Sequence, residues 1–418
     1  MRGRRLLLLL AAASCVVAGA PGLAAGSPAV RFGLQDDAWL EYGPGTLEDR
    51  VAKLDALGLD LVRVTLHWSS IQPARGEEDW QRPDALLEAL RAHGLTPVVT
   101  LWGTPAWANG GRGPNWAPLR AADFERFARR AAERYRFVRH WVIWNEPNNG
   151  RWLRPVSPQV YTARLLNPAF RAIRAANPRA RVGGGVTAPR AGSGGMSPVD
   201  FLRGMDRFGA RLDAYAHHPY PRGPADTPFE GGCVNCKTIT MARLERLLGE
   251  VGRAFPGARI WLTEYGYQTN PPDRTLGVSP AQQALYVGQA ALRVYAAPKV
   301  DMLIHYLYRD EPELAAWQSG LENARGQAKP SLRATMLPLA QVSRRGLTAV
   351  VWGQVRPGKG RQGYVLQQLR DGRWTSVGGA ARTSPRGYLR RTLPAVAGTK
   401  VRIWYPAGRI ASPPLTIR

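Results

Sequence analysis

Glu146 lies in Trp144-Asn145-Glu146-Pro147-Asn148, and Glu264 lies in Trp261-Leu262-Thr263-Glu264-Tyr265-Gly266. Each follows a short apolar run, as a carboxylate does at the end of a buried strand. Two carboxyls brought face to face can divide a demanding displacement between them. One protonates a leaving oxygen while the other traps the cationic centre left behind. Glycosidic bond cleavage needs this arrangement. A separation of about 5 Å gives retention at the anomeric carbon, and more room, for a water, gives inversion.

The elements that must position the pair are legible as an alternation of β-rich runs and amphipathic helical stretches. Strands read over 31–34, 59–68, 96–102, 141–144, 181–186, 213–217, 259–263 and 301–307. Helices read over 46–57, 83–93, 121–135, 159–176, 200–208, 241–255, 282–295 and 329–339. This count over residues 31–340 predicts an α/β fold, a (β/α)₈ TIM barrel. A doubly wound open sheet is the rival, but no Gly-rich phosphate loop follows the first strand. In a barrel the reactive groups gather at the carboxyl ends of the strands. Glu146 closes the fourth strand and Glu264 the seventh, so they can face each other across the ring. Consecutive strand residues point opposite ways. The chain must therefore bend or end at Asn145 if Asn145 and Glu146 are both to serve.

After Leu339 the pattern changes. Residues 342–346 read as a basic, polar junction, and strands follow over 347–355, 364–369, 374–377, 388–392, 400–405 and 415–417. Asp371-Gly372 is a hairpin turn signal. Residues 346–418 are expected to form a small all-β immunoglobulin- or fibronectin-like sandwich that packs against the barrel or spaces it.

The Asn-Glu-Pro and Thr-Glu-Tyr-Gly motifs, three strands apart, resemble those of glycoside hydrolase clan A, and the resemblance spans nearly all of residues 31–339. The stretch 63–73 and Pro105-Ala106-Trp107 are similar to the xylosidase, iduronidase and exopolysaccharide-hydrolase relatives within the clan; cellulase-like families share the general pattern. The resemblance implies double displacement with retention, Glu146 serving as acid then base and Glu264 as nucleophile. It also implies that Arg63 pairs with the nucleophile, that Tyr220 in His217-His218-Pro219-Tyr220 hydrogen-bonds it, and that Asn145 holds a sugar 2-hydroxyl. His218 joins these as a substrate-binding candidate. The clan often floors its sugar site with a Trp at the end of strand eight. Here that segment is His305-Tyr306-Leu307-Tyr308, so Tyr306 or Tyr308 is expected to substitute. Among Trp102, Trp107, Trp116, Trp152 and Trp317, strand-end Trp102 is the preferred sugar platform, since aromatic faces suit pyranose C–H faces.

Residues 1–25 read as a secretory signal: arginines at 2, 4 and 5, an apolar run from Leu6 to Ala13, then small residues before Ala25. The chain is therefore expected to be secreted or cell-wall associated, and no segment is long and apolar enough to span a membrane. The formal charge of +26 favours anionic partners. No basic run alternates with aromatics and no groove-reading motif is present, which argues against nucleic acid. Cys233-Val-Asn-Cys236 in an exported chain suggests a small disulfide pinning a loop; a half zinc site or redox centre is the alternative. The reading is a monomeric hydrolase of a β-linked oligo- or polysaccharide, with no metal or organic cofactor. A catalytically silent, wall-associated glycan-binding protein is the competing reading.

Overall fold

The structure is a computed structural model that describes residue 27, residues 29–192 and residues 194–418. The expected signal, residues 1–25, lies outside the described residues. Eight parallel strands close into a barrel in sequence order: β1 (Arg31–Gln35), β2 (Leu61–His67), β3 (Thr96–Trp102), β4 (His140–Ile143), β5 (Arg181–Thr187), β6 (Ala214–His217), β7 (Arg259–Tyr265) and β8 (Val300–Tyr306). The outer layer is formed by α1 (Leu47–Ala56), α2 (Gln81–Ala92), α3 (Ala121–Arg134), α4 (Asn167–Ala176), α5 (Pro198–Arg207), α6 (Leu244–Ala254), α7 (Pro280–Tyr295) and α8 (Pro330–Met336). Local chemistry starts several of them. Thr46 forms a capping box with Asp49 at α1, and Ser279 forms one with Gln282 at α7. Each satisfies backbone donors that a helix otherwise leaves open.

The two-residue period of the strands sorts side chains between two cores. Leu61, Val98, Val142, Ala214, Trp261, Met302 and Ile304 fill the barrel interior. Alternate residues such as Val62, Val64, Val99 and Leu101 pack outward under the helices. The interior is thus plugged below the strand ends that carry the glutamates. The helix expected over 159–176 is interrupted: a π-helical stretch, Tyr161–Leu166, precedes α4. Tyr161 lies there fully buried, donating its hydroxyl to the Ile143 carbonyl at 2.7 Å and accepting from the Gly185 amide at 3.1 Å. It thereby braces the exit of β4 against β5.

The C-terminal region is a two-sheet sandwich. Its strands are β9 (Leu339–Arg345), β10 (Thr348–Gln354), β11 (Gly363–Arg370), β12 (Arg373–Ser376), β13 (Ala381–Arg382), β14 (Tyr388–Pro394), β15 (Lys400–Tyr405), β16 (Ile410–Ala411) and β17 (Leu415–Thr416). One sheet runs β14-β10-β9 and the other β12-β11-β15-β16, with β13 on β11 and β17 on β15. Ala349, Val351 and Leu389 of the first meet Leu366, Val401 and Ile403 of the second in one core. Asp371 and Gly372 both take positive φ, 48° and 76°, as the expected tight hairpin requires. Residues 342–346 differ from expectation. All but Gly346 belong to β9, whose far end is exposed, so the sequence there lacks the apolar alternation that marks a strand.

Candidate active site

β4 ends at Ile143, and the backbone then leaves the extended region. Trp144 has φ 74° and Glu146 φ 38°, values that L-residues with bulky side chains rarely adopt. The surroundings hold this path. Trp144 is fully buried, donates its indole N–H to the Trp152 carbonyl at 2.7 Å and keeps its amide on the Leu101 carbonyl. Buried Asn148 accepts from the Ala188 amide at 2.8 Å and donates to the Met196 carbonyl at 3.0 Å. The alternation of strand side chains is broken here, and Asn145 and Glu146 enter the same cluster.

On the other side of the ring, the β7–β8 register shifts between Leu262 and Tyr265, which delivers Glu264 to the interior at the strand end. Arg63, 1% exposed at the centre of β2, donates to Glu264 Oε1 at 2.5 Å, to Asn145 Oδ1 at 3.0 Å, to Gln35 Oε1 at 2.5 Å and to Thr100 Oγ1 at 2.9 Å. One guanidinium therefore ties together β1, β2, β3, the exit of β4 and β7. Tyr220 donates to Glu264 Oε2 at 3.1 Å. His218 sits between the carboxyls. Its Nδ1 is 3.0 Å from Glu146 Oε1 and 3.5 Å from Glu264 Oε2, and its Nε2 is 3.1 Å from Thr263 Oγ1. One oxygen of each carboxylate and a His218 ring nitrogen all lie within 4.8 Å of one another.

The surroundings of Glu264 set its ionisation. Burial alone pushes its carboxyl up. The charges of His218 and Arg63, with the hydrogen bonds from Arg63 and Tyr220, outweigh that and hold it below its ordinary value. The same carboxylate, after burial, keeps the Tyr220 and Tyr306 phenols well above theirs, so both remain donors. Neighbouring His217 is a framework residue. Fully buried between Thr187 and the Ile239 carbonyl, it is held neutral with its pKa lowered to about 3 by burial. Glu146, His218 and Glu264 are the donors a cation would use. Arg63 and Tyr220 already occupy both oxygens of Glu264, which suits the cluster to proton handling more than to a metal.

The aromatic candidates separate clearly. Tyr306 ends β8 and is half-buried close to Glu264. Tyr308, the alternative, is core: it stacks on Trp39 at 4.0 Å and donates to Glu322. Trp317, from the loop after β8, packs on Tyr220 at 4.8 Å and edge-on to Tyr306 at 5.7 Å, with 37% of its surface exposed. Trp102 is half-buried at the end of β3 between His67, Trp144 and Trp152, and its buried indole N–H has no partner among the described residues. Arg63, Asn145, Glu146, His218, Tyr220 and Glu264 thus form one contact network, Tyr306 borders it, and Trp102 lies on a flank of the same face. Gln35, Thr100 and Thr263 are additional members. Their only sequence signal is their position on or beside strand ends. Cys233 and Cys236 are joined in a disulfide within the loop after β6.

No protein-family model and no curated protein matches this chain. Solved structures do. A family 39 glycoside hydrolase from the gut symbiont Bacteroides cellulosilyticus aligns with TM-score 0.61 and 16% identity, over 88% of this chain and 82% of that one. A monomeric β-xylosidase from Caulobacter crescentus aligns with TM-score 0.59 and 18% identity, over 90% and 95%. A GH39 enzyme from Xanthomonas axonopodis pv. citri aligns with TM-score 0.59 and 15% identity, over 91% and 95%. These likenesses establish the fold: barrel and β-sandwich together follow the architecture of solved glycoside hydrolases.

Proposed function

We propose that the protein is a secreted retaining glycoside hydrolase acting on a β-linked oligo- or polysaccharide. The observation that carries this reading is the approach of the Glu146 and Glu264 carboxylates to within 4.8 Å in unlike surroundings. That spacing suits attack by one carboxylate and leaves no room for an intervening water. Glu146 donates its proton to the departing glycosidic oxygen while Glu264 attacks the anomeric carbon to give a glycosyl ester. Glu146, now a carboxylate, takes a proton from water, which displaces the ester and restores both groups. Two inversions at one carbon give net retention.

The other residues follow from this division. Arg63 and Tyr220 keep Glu264 ionised and oriented until it attacks. Asn145, its Oδ1 engaged by Arg63, keeps its amide nitrogen as a donor for the 2-hydroxyl. Tyr306 and Trp317 supply an aromatic border for the sugar, and Trp102 a flank. Export is supported by the leader at residues 1–25. An aryl β-glycoside panel, with the anomer of the first product followed by NMR, tests the reading. Retention is expected, Glu264→Gln is expected to abolish turnover, and Glu146→Ala to slow it by about 10²–10⁴-fold with recovery in azide. An inverted product would overturn retention. A wild-type protein that binds glycans yet turns none over would instead be a silent glycan-binding protein.

A further inference from the structure

The opposite end of the barrel holds a second built cavity. Arg31 opens β1, His140 opens β4 after Arg139, Arg181 opens β5, and Arg174 and Arg179 come from α4 and the turn after it. These residues, with Pro178, line a pocket of about 590 Å³ whose lining holds five arginines and no acidic residue. The packed barrel interior, with Trp261 edge-on to the His140 ring at 5.5 Å, separates it from the carboxyl pair.

Like charges gathered in a concavity repel one another, and the nearby acids answer only part of that charge. Asp213 lies 3.4 Å from Arg181, and Asp60 and Asp301 face Arg31. Arg139 and Arg179 have no ion-pair partner among the described residues and are exposed. Arg31 reaches across the barrel floor to donate to His140 Nε2 at 2.7 Å. With Nε2 accepting, the neutral ring carries its proton on Nδ1, and that buried nitrogen has no acceptor among the described residues. A buried donor without a partner costs free energy, so this end of the barrel is held in place at a cost.

We propose that this pocket binds a compact ligand carrying two or more oxyanion groups (phosphate, sulfate or carboxylate) on one molecule. Guanidinium forks match such groups two hydrogen bonds at a time. A concave wall of one sign concentrates the field on them. The volume exceeds what a single oxyanion fills, and the arginines stand at separate strand starts, on α4 and on the turn after it, which suits groups spaced along a ligand.

Calorimetric titration of the full chain with inorganic pyrophosphate, and separately with trigalacturonate, tests the site. One saturable site is expected, weakening with added salt. Binding of pyrophosphate alone identifies a phosphoanion ligand; binding of trigalacturonate alone identifies an acidic sugar; binding of both identifies oxyanion recognition without regard to backbone. Arg139→Ser with Arg179→Ser is expected to weaken binding by about tenfold or more, the loss of two charged donors. Arg370→Ser with Arg373→Ser, an equal charge loss on the sandwich, is expected to change it less than about twofold. Both double variants should keep the circular dichroism spectrum and glycosidase rate of the wild type. Absence of saturable binding with either probe, or equal weakening by the two double variants, overturns the proposal.

Discussion

At the residue scale the proposed reaction rests on an asymmetry. Glu264 is buried, yet its pKa is depressed, because Arg63, His218 and Tyr220 compensate what burial costs. A depressed carboxyl contributes stability above its ordinary titration range, and that stability is lost as pH falls through the folded value. Replacing Arg63 by Met leaves burial with less opposition, so the Glu264 pKa rises. The acidic limb of kcat/KM, which reports ionisation in the free enzyme, is then expected to move to higher pH. kcat should fall by about 10²–10³, the effect of losing one preorganised electrostatic partner. Folding stability should fall by about 3–5 kcal/mol, as when a buried pair loses one member. Arg63→Lys keeps the charge but not the fork that reaches Gln35, Thr100 and Asn145, and should fall between the two. A pH–rate profile beside a urea titration separates these effects; an unmoved acidic limb in the Met variant would show that Arg63 does not govern the nucleophile.

At the element scale, the order of strands and helices was legible because parallel strands are buried on both faces and read as continuous apolar runs between helical periods. Asn145, Glu146 and Glu264 were legible for the same reason, since a polar pair ends each run: Asn145-Glu146 after Trp144 and Thr263-Glu264 after Leu262. The positive φ of Trp144 and Glu146 was foreshadowed only as a necessary bend. Other features depend on packing that no local pattern carries. Gly183 occupies β5, where a Cβ would stand 2.7 Å from the Trp261 ring; a glycine that weakens a strand is there because the indole fills the interior instead. Trp317 reaches the site only through the path of the loop after β8. Lys329 anchors that path: its buried ammonium donates to Asp310 at 2.7 Å, to Thr269 at 2.8 Å and to the Gln318 carbonyl at 3.1 Å. Lys329→Met is expected to cost about 3–5 kcal/mol, because Asp310 is left buried without its partner, whereas Lys329→Met with Asp310→Leu should recover much of the loss. A double-mutant cycle by urea denaturation measures this, and additive losses would refute the pairing. The single variant should also raise KM more than it lowers kcat, since in the proposed reading Trp317 packs on Tyr220 and Tyr306 at the border of the site and not on the carboxyl pair.

At the scale of the whole molecule, the sandwich is built into the barrel. Trp352 and Tyr388 of the sandwich pack with Tyr295 of α7 at centroid distances of 5.2 and 4.7 Å, inside the main barrel core. Tyr388 donates to the Val30 carbonyl at the entrance of β1. Buried Arg356 lies 4.0 Å over the Phe32 ring and donates to the Thr335 carbonyl of α8 at 2.7 Å. Phe32 belongs to the strand that closes the barrel against β8, so loss of the sandwich exposes the seam of the ring. Shared apolar burial couples the two parts, and coupled parts unfold together. Calorimetry of the full chain is therefore expected to show one transition. Trp352→Ala, which removes a ring that is 3% exposed, should lower that transition as a unit by about 3–5 kcal/mol. Glycosidase activity should be lost on heating at the same temperature as sandwich structure in both proteins. Two separated transitions, with activity surviving the first, would make the sandwich an independent appendage and leave the barrel seam closed by its own strands alone.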